Sequence, residues 1–198
     1  MKTGIAVLSV LLALVLVRPA AGVVLLTHDQ ALKQMFPDAA KVAPEVHVLT
    51  PEQAAAAKGK LGGKWTLYQS GSKEENLKEV DSLTFYVAMK DGKKTGVALI
   101  ETQPGKWGPV KYIVALDLTG KVANLAVMSY VEQRGKPIAT RRFLDQFVGK
   151  TGQSAITVGK DIDAVSGATI SSRATAFAVK KVVVLYGTVF PPAPKKGE

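Results

Sequence analysis

VKYIVALDLTGKVANLAVMSYV, residues 110–131, decides the fold. Val110, Tyr112, Val114, Leu116 and Leu118 alternate along one face, Gly120 turns the chain, and residues 122–131 return. Side chains two apart share a face only on an extended chain, so the pattern specifies a β-hairpin. A second hairpin precedes it, because residues 84–89 and 95–101 flank Asp91-Gly92, a strong hairpin turn. Between the two, Gln103-Pro104-Gly105-Lys106-Trp107-Gly108-Pro109 has turn residues at both ends and reads as a loop, with Trp107 outside any strand pattern.

Outward from the hairpins the period becomes helical. Thr27 with Gln30, and Thr50 with Gln53, are capping-box pairs. Pro37 closes the first short helix, and Gly59, Gly62 and Gly63 close the second. On the other side, residues 138–148 place Phe143, Leu144 and Phe147 on one helical side, and Gly149 ends that stretch. After an irregular segment, Ile170, Ala174, Phe177, Ala178 and Leu185 recur at helical spacing, so residues 166–169 lie at a helix start. The expected fold is α+β: antiparallel hairpins form a curved sheet, helices pack against it, and the last helix follows the 163–169 loop.

Composition narrows the chemistry. With no cysteine the chain has no disulfide, thiolate metal site, iron–sulfur cluster or thiol nucleophile. His28 and His47 have no second histidine nearby, so no metal site is assigned. Neither histidine sits in a motif that would make it a base for Ser166 or Thr169, so no catalytic residue is assigned and a hydrolase is disfavoured. A net charge of +10 suits acidic partners, anionic lipids or an anionic cofactor, and no motif points to nucleic acid. Residues 1–22 read as a signal peptide: Lys2, an apolar run over 5–17, Arg18-Pro19, then small residues. That run is shorter than the roughly 20 residues a span requires; the alternative is a retained membrane anchor extended by the apolar residues 23–26. The expected organisation is therefore 1–22 export segment, 23–190 a single domain, and 191–198 a flexible basic tail.

One stretch carries chemistry: Asp163-Ala164-Val165-Ser166-Gly167-Ala168-Thr169-Ile170-Ser171-Ser172. It combines a glycine, several hydroxyls and the outward amides of a helix start, a combination that binds phosphate. The same hydroxyls also describe an ordinary helix cap. Asp-x-x-Ser-Gly-Ala-Thr at Asp163 to Thr169 resembles the flavinylation signature of FMN-binding domains, found in the Rnf complex G subunit and the C subunit of sodium-pumping NADH:quinone reductase. In that family a flavin transferase moves FMN from FAD onto the threonine of the motif. The order of elements over residues 83–185 is similar as well. Residues 132–137, Glu-Gln-Arg-Gly-Lys-Pro, depart from the family's Glu-Thr-Pro-Gly turn.

The resemblance implies FMN held by a phosphoester to Thr169, with Ser166, Gly167, Ala168, Asp163, Ile170 and Ser171 around the attachment point. It also implies Trp107 and Tyr130 over a flavin face, and a cation among Lys106, Lys111 and Arg141 at the ring. Arg173, one turn past Thr169, either offsets the phosphate charge or is a solvated surface charge. The implied function is exported electron transfer, periplasmic or on the outer face of the cytoplasmic membrane, by a carrier more than a stand-alone enzyme. Its implied partners are a flavin transferase and redox proteins such as a membrane oxidoreductase. The competing reading is a non-catalytic basic module that binds an anionic partner or membrane surface.

Overall fold

The computed structural model describes residues 22–70, 82–131 and 136–191. Its strands are β1 (Val23–Val24), β2 (Lys41–Val48), β3 (Ser82–Lys90), β4 (Lys93–Pro104), β5 (Pro109–Leu116) and β6 (Val122–Tyr130). All pair antiparallel in one sheet, in the order β1-β6-β5-β4-β3-β2. Helices α1 (His28–Met35), α2 (Pro51–Lys60), α3 (Arg141–Leu144) and α4 (Thr169–Val189) complete an α+β fold.

Both expected hairpins form, and residues 112–116 are buried on both faces of the sheet. Tyr112, Val114 and Leu116 join the main core with Phe85, Leu99 and Leu125. Ile113 and Ala115 pack with Ala98, Ala126 and Met128 beneath Ala31 and Met35 of α1. Leu118 breaks the expected alternation and is half exposed, because β5 ends at Leu116. There the Asp117 carboxylate accepts the backbone N–H groups of Thr119 at 2.8 Å and Lys121 at 3.0 Å, bending the chain into an Asx turn.

The capping boxes at α1 and α2 are complete. Gln30 and Gln53 each accept the N–H of their threonine, at 2.9 and 3.0 Å, while the threonine hydroxyls accept the glutamines' N–H groups. Two elements differ from expectation. Strand β2 carries no strong pattern in sequence and contains Pro44, a residue sheets tolerate at an edge; β2 is the edge, paired only with β3. The continuous helix expected over 138–148 is instead a 3-10 turn (Lys136–Ala139), α3, and a second 3-10 turn (Asp145–Phe147). Phe143, Leu144 and Phe147 still bury. The chain leaves helical geometry there because Gly149 and Lys150 exchange backbone hydrogen bonds with Val122 at 2.8 and 2.9 Å, anchoring the segment to the start of β6.

At the opposite edge Val23 and Val24 pair with Tyr130 and Ser129, and the N–H groups of Leu25 and Leu26 both donate to the Met128 carbonyl. Residues 1–21 of the export segment, residues 132–135 of the variant turn, and the tail from 192 lie outside the described residues. Among the described residues no helix is long and apolar enough to cross a membrane.

Helix α4 lies across β4 and β5. Ala174, Ala178, Val179 and Val182 are completely buried, small or β-branched side chains that let the helix approach the sheet closely. At its far end the Tyr186 hydroxyl donates to the Leu118 carbonyl at 2.8 Å, laying the ring over Gly120. Gly120 has φ +81°, and a Cβ there would stand 2.8 Å from the Tyr186 ring. Gly120→Ala is therefore expected to cost about 1–3 kcal/mol, from left-handed strain plus overpacking. Urea unfolding would read it as a lowered midpoint with unchanged slope; a midpoint equal to wild type would refute the contact.

Candidate functional site

The 163–172 stretch folds into a braced loop that delivers one exposed hydroxyl at a helix start. Gln146 clamps the backbone of Asp163, accepting its N–H at 2.8 Å and donating to its carbonyl at 3.4 Å. Ser172 ties the loop to the helix: its hydroxyl accepts the Val165 N–H at 3.0 Å and donates to the Ala168 carbonyl at 2.9 Å. Gly167, at φ +73°, makes the left-handed step into α4 that a side chain would oppose. Ser171 and Ser172 are buried, whereas Asp163, Ser166, Gly167 and Thr169 are exposed. The N-cap position falls on Ala168, and no side chain caps the helix. Ordinary capping, one of the two readings of this stretch, is thus not what these hydroxyls do. Thr169 is the first residue of a 21-residue helix, where the dipole and outward amides favour an anion.

Along the same side of α4 runs a cleft of about 410 Å³. Arg173, Phe177 and Lys180 line it, about one, two and three turns beyond Thr169, with Ala176 between. Leu61, Gly62, Leu67 and Gln69 form the second wall, and Ile156, Thr157 and Val158 the third. The walls are apolar, two cations reach them, and among the described residues no carboxylate lines the cleft.

Each wall is held by hydrogen bonds. Gln69 donates to the Ile170 carbonyl at 2.9 Å, joining the second wall to the first turn of α4. Gln103 on β4 accepts the Leu67 N–H at 3.0 Å. The third wall hangs on Asp161, whose carboxylate accepts the N–H groups of Thr157 at 2.8 Å and Ile156 at 3.1 Å and pairs with Lys150 at 2.9 Å. Ile156 has φ 45°, a region β-branched residues avoid, so Asp161 holds a strained residue against the cleft.

Partial burial alone would raise the Asp161 pKa, but the Thr157 N–H, the Lys150 ammonium and the Ile156 N–H outweigh it and hold the carboxyl at about 2. A depressed carboxyl pKa contributes stability above the unfolded value and loses it as pH falls through the folded value. Asp161→Asn is expected to cost roughly 1–2 kcal/mol near neutrality. The gap from wild type should close between about pH 4 and pH 2. Thermal midpoints measured across that range would check it, and a gap independent of pH would count against the carboxylate.

Several residues singled out from the sequence stand elsewhere. Trp107 is 46% exposed on the β4–β5 turn, with the Lys106 ammonium over its ring, and Tyr130 is buried at the end of β6. Neither lines the cleft. Lys106, Lys111 and Arg141, the cations expected at the ring, do not line it either. Arg141 is committed to Asn124 Oδ1, the Leu125 carbonyl and Asp145, and Lys111 points to solvent from β5. The cations that do line it are Arg173 and Lys180. Helical spacing from Thr169 reaches Lys180 directly, so that residue had a signal in sequence. Leu61, Leu67, Ile156 and Val158 had none, since their convergence is tertiary.

The family model of the FMN-binding domain matches residues 105–184. The G subunit of the ion-translocating oxidoreductase complex of Shewanella oneidensis is 31% identical over 150 residues, covering 70% of this chain and 68% of that protein. The G subunit of the same complex in Aliivibrio fischeri strain MJ11 is 35% identical over 119 residues, covering 54% of this chain and 57% of that protein. The chain spans 57% and 60% of the length of the Aliivibrio fischeri relatives from strains MJ11 and ES114. The crystal structure of Shewanella oneidensis NqrC superposes with a TM-score of 0.50 at 16% identity, over 80% of this chain and 85% of that one, a likeness of fold. The chain belongs to the FMN-binding domain family, and its cofactor is FMN.

Proposed function

We propose that this chain is an exported electron-transfer flavoprotein carrying FMN through a phosphoester to Thr169. The observation that carries the proposal is the exposed Thr169 at the uncapped start of α4, one turn before Arg173, which lines an apolar cleft that Thr169 itself does not line. The residues present suit FMN. A volume of about 410 Å³ lies within the ordinary range of small-molecule sites, the apolar walls suit a flat ring system, and two cations with, among the described residues, no carboxylate suit an anionic ligand. The helix amides and Arg173 would hold the phosphate, while Phe177, Leu67 and Ile156 would pack the ring. FMN supplies the one- and two-electron chemistry; the protein supplies binding, orientation and electrostatics.

Attachment balances as a phosphoryl transfer from FAD. The Thr169 oxygen bonds to the phosphorus of the FMN half, the bond to the bridging oxygen breaks, AMP leaves with that oxygen, and the hydroxyl proton passes to solvent or to the flavin transferase. An exposed hydroxyl is a requirement of such a reaction, because a second protein must reach it. A tether also replaces bimolecular binding by a high effective concentration, which suits a protein beyond the cytoplasmic FMN pool.

The relatives are named as components of ion-translocating oxidoreductase complexes, which supports redox proteins and a membrane oxidoreductase as partners. The apolar run over residues 5–17 supports export. The test is to denature the protein purified from cells holding a flavin transferase and separate it from small molecules. Flavin absorbance should stay with the chain and map to the peptide containing Thr169. Flavin released on denaturation, or mapped elsewhere, would sink the proposal, and an unmodified chain would favour the binding-module reading.

A further inference from the structure

Nine large hydrophobic side chains are exposed among the described residues, and four of them, Val23, Val24, Leu25 and Trp107, gather at one corner of the sheet. Strand pairing places them there. Val23 stands beside Tyr130, which stands beside Val110, so the chain entering β1 and the turn between β4 and β5 reach the same end of the strands. Val131 fills the space between them: a Cβ on Gly22 would meet its side chain at 3.4 Å, and one on Gly108 at 2.9 Å. Trp107, next to Gly108, carries the Lys106 ammonium 5.2 Å from its ring centroid. One step along the strands, Val24, Ser129 and Lys111 form a second row, in which Val24 and Lys111 are exposed. Residues 22–25, 104–111 and 129–131 hold two lysines and no carboxylate.

The chain that leads into this corner indicates what meets it. Val17 ends the apolar run and Gly22 opens the corner five residues on, a reach of at most about 18 Å. A bilayer that holds residues 5–17 therefore lies beside Val23 and Trp107. Tryptophan next to lysine is the side-chain chemistry of a membrane–water boundary, where the ring sits among headgroups and the ammonium meets lipid phosphate. We infer that this corner rests on an anionic lipid surface, with Trp107, Val23 and Val24 entering the headgroup boundary and Lys106 and Lys111 facing its phosphates. This rests on the export reading of residues 1–22, which puts the chain against the outer leaflet, and not on the Thr169 linkage. Cleavage of that segment would leave the contact to the corner alone, weaker and sensitive to salt.

The experiment adds the full chain, with and without FMN loading, to vesicles of phosphatidylglycerol and phosphatidylcholine. Tryptophan emission is compared between vesicles with brominated and unbrominated acyl chains. Trp65 is buried and contributes a constant, so bromine quenching reports Trp107. Emission should move to shorter wavelength and be quenched, whether or not residues 5–17 also enter the bilayer. With phosphatidylcholine alone the quenching should fall about threefold, because the two lysines lose their anionic partners. Trp107→Ser should abolish it, and Val48→Ser, an exposed change on β2 at the opposite edge of the sheet, should leave it at the wild-type level. Equal emission on the two kinds of vesicle would overturn the assignment while leaving FMN on Thr169 intact. Emission that shifts with protein concentration in the absence of vesicles would give the corner to a second copy of the chain and overturn it too. Quenching that persists in a chain unable to take covalent FMN would sustain the lipid contact while the proposed function failed.

Discussion

Thr169→Ala, expressed beside a flavin transferase that loads the wild-type chain, should emerge colourless and without the FMN-sized mass gain. The expected loss is essentially complete, because no other hydroxyl in the stretch is placed to replace it. Ser172 is fully buried and bonded on both sides, to Val165 and Ala168. Ser171 is 2% exposed. Ser166 is exposed but precedes the Gly167 step and the helix, outside the field of the first-turn amides. Alanine is favourable at a helix start and Thr169 caps nothing, so the variant should unfold within about 0.5 kcal/mol of wild type. Failure of loading would then report lost chemistry and not lost structure. Thr169→Ser, which keeps a hydroxyl at the same turn, should retain at least part of the modification. A Thr169→Ala protein that still gains the full FMN mass would remove the foundation of the proposed function.

Lys181→Met should give the largest loss of stability among single changes in α4. Lys181 and Glu101 are 4% and 7% exposed, their charges meet at 2.9 Å, and Gln103 donates to the same carboxylate at 2.8 Å. Burial pushes the Glu101 carboxyl up, and the Lys181 ammonium and Gln103 amide only partly pull it back. Removing one member of such a pair strands the other, at a typical cost of about 3–5 kcal/mol. In a domain of this size that corresponds to a fall of roughly 6–20 °C in thermal midpoint. A raised carboxyl pKa means that folding takes up a proton, so stability falls as pH rises through the folded value. Without Lys181 to oppose the shift, the deficit of the variant should widen from pH 5 to pH 8. The double variant Glu101→Gln with Lys181→Met should recover most of the loss, since it removes both charges. Calorimetry across that pH range decides the matter, and a midpoint within about 1 °C of wild type at pH 8 would show that the pair contributes little.

The pair also bears on the cleft. Gln103, anchored by Glu101, holds the Leu67 N–H, and the Lys181 ammonium lies over the Trp65 ring just before it. A wall of the candidate site therefore hangs from a polar network inside the core. Partial exposure of that network in Lys181→Met would loosen the ligand-facing segment before it unfolded the sheet.

Local sequence was enough to specify the elements whose geometry depends on near neighbours. The alternation of residues 110–116, the Asp91-Gly92 turn, the two Thr-x-x-Gln boxes and the start of α4 all follow from spacings of two to four residues, so one window contains their cause. The Ser-Gly-Ala-Thr stretch was legible for the same reason, since its chemistry and its backbone step lie in consecutive residues. Strand β2 escaped because Pro44 contradicts a strand in isolation and is tolerated only at an edge, which is a property of the assembled sheet. The helix expected over 138–148 fragmented because Val122, distant in sequence, holds Gly149 and Lys150.

What tertiary structure alone decided is the cleft: which residues wall it, and that its cations are Arg173 and Lys180 and not those on the hairpins. Leu67 and Ile156 meet α4 because Gln69, Gln103 and Asp161 fasten their segments with hydrogen bonds that span, for the first two, 101 and 36 residues of sequence. A covalent attachment point can be written in a few adjacent residues, but a binding cavity is an agreement among distant ones, and no local pattern encodes it.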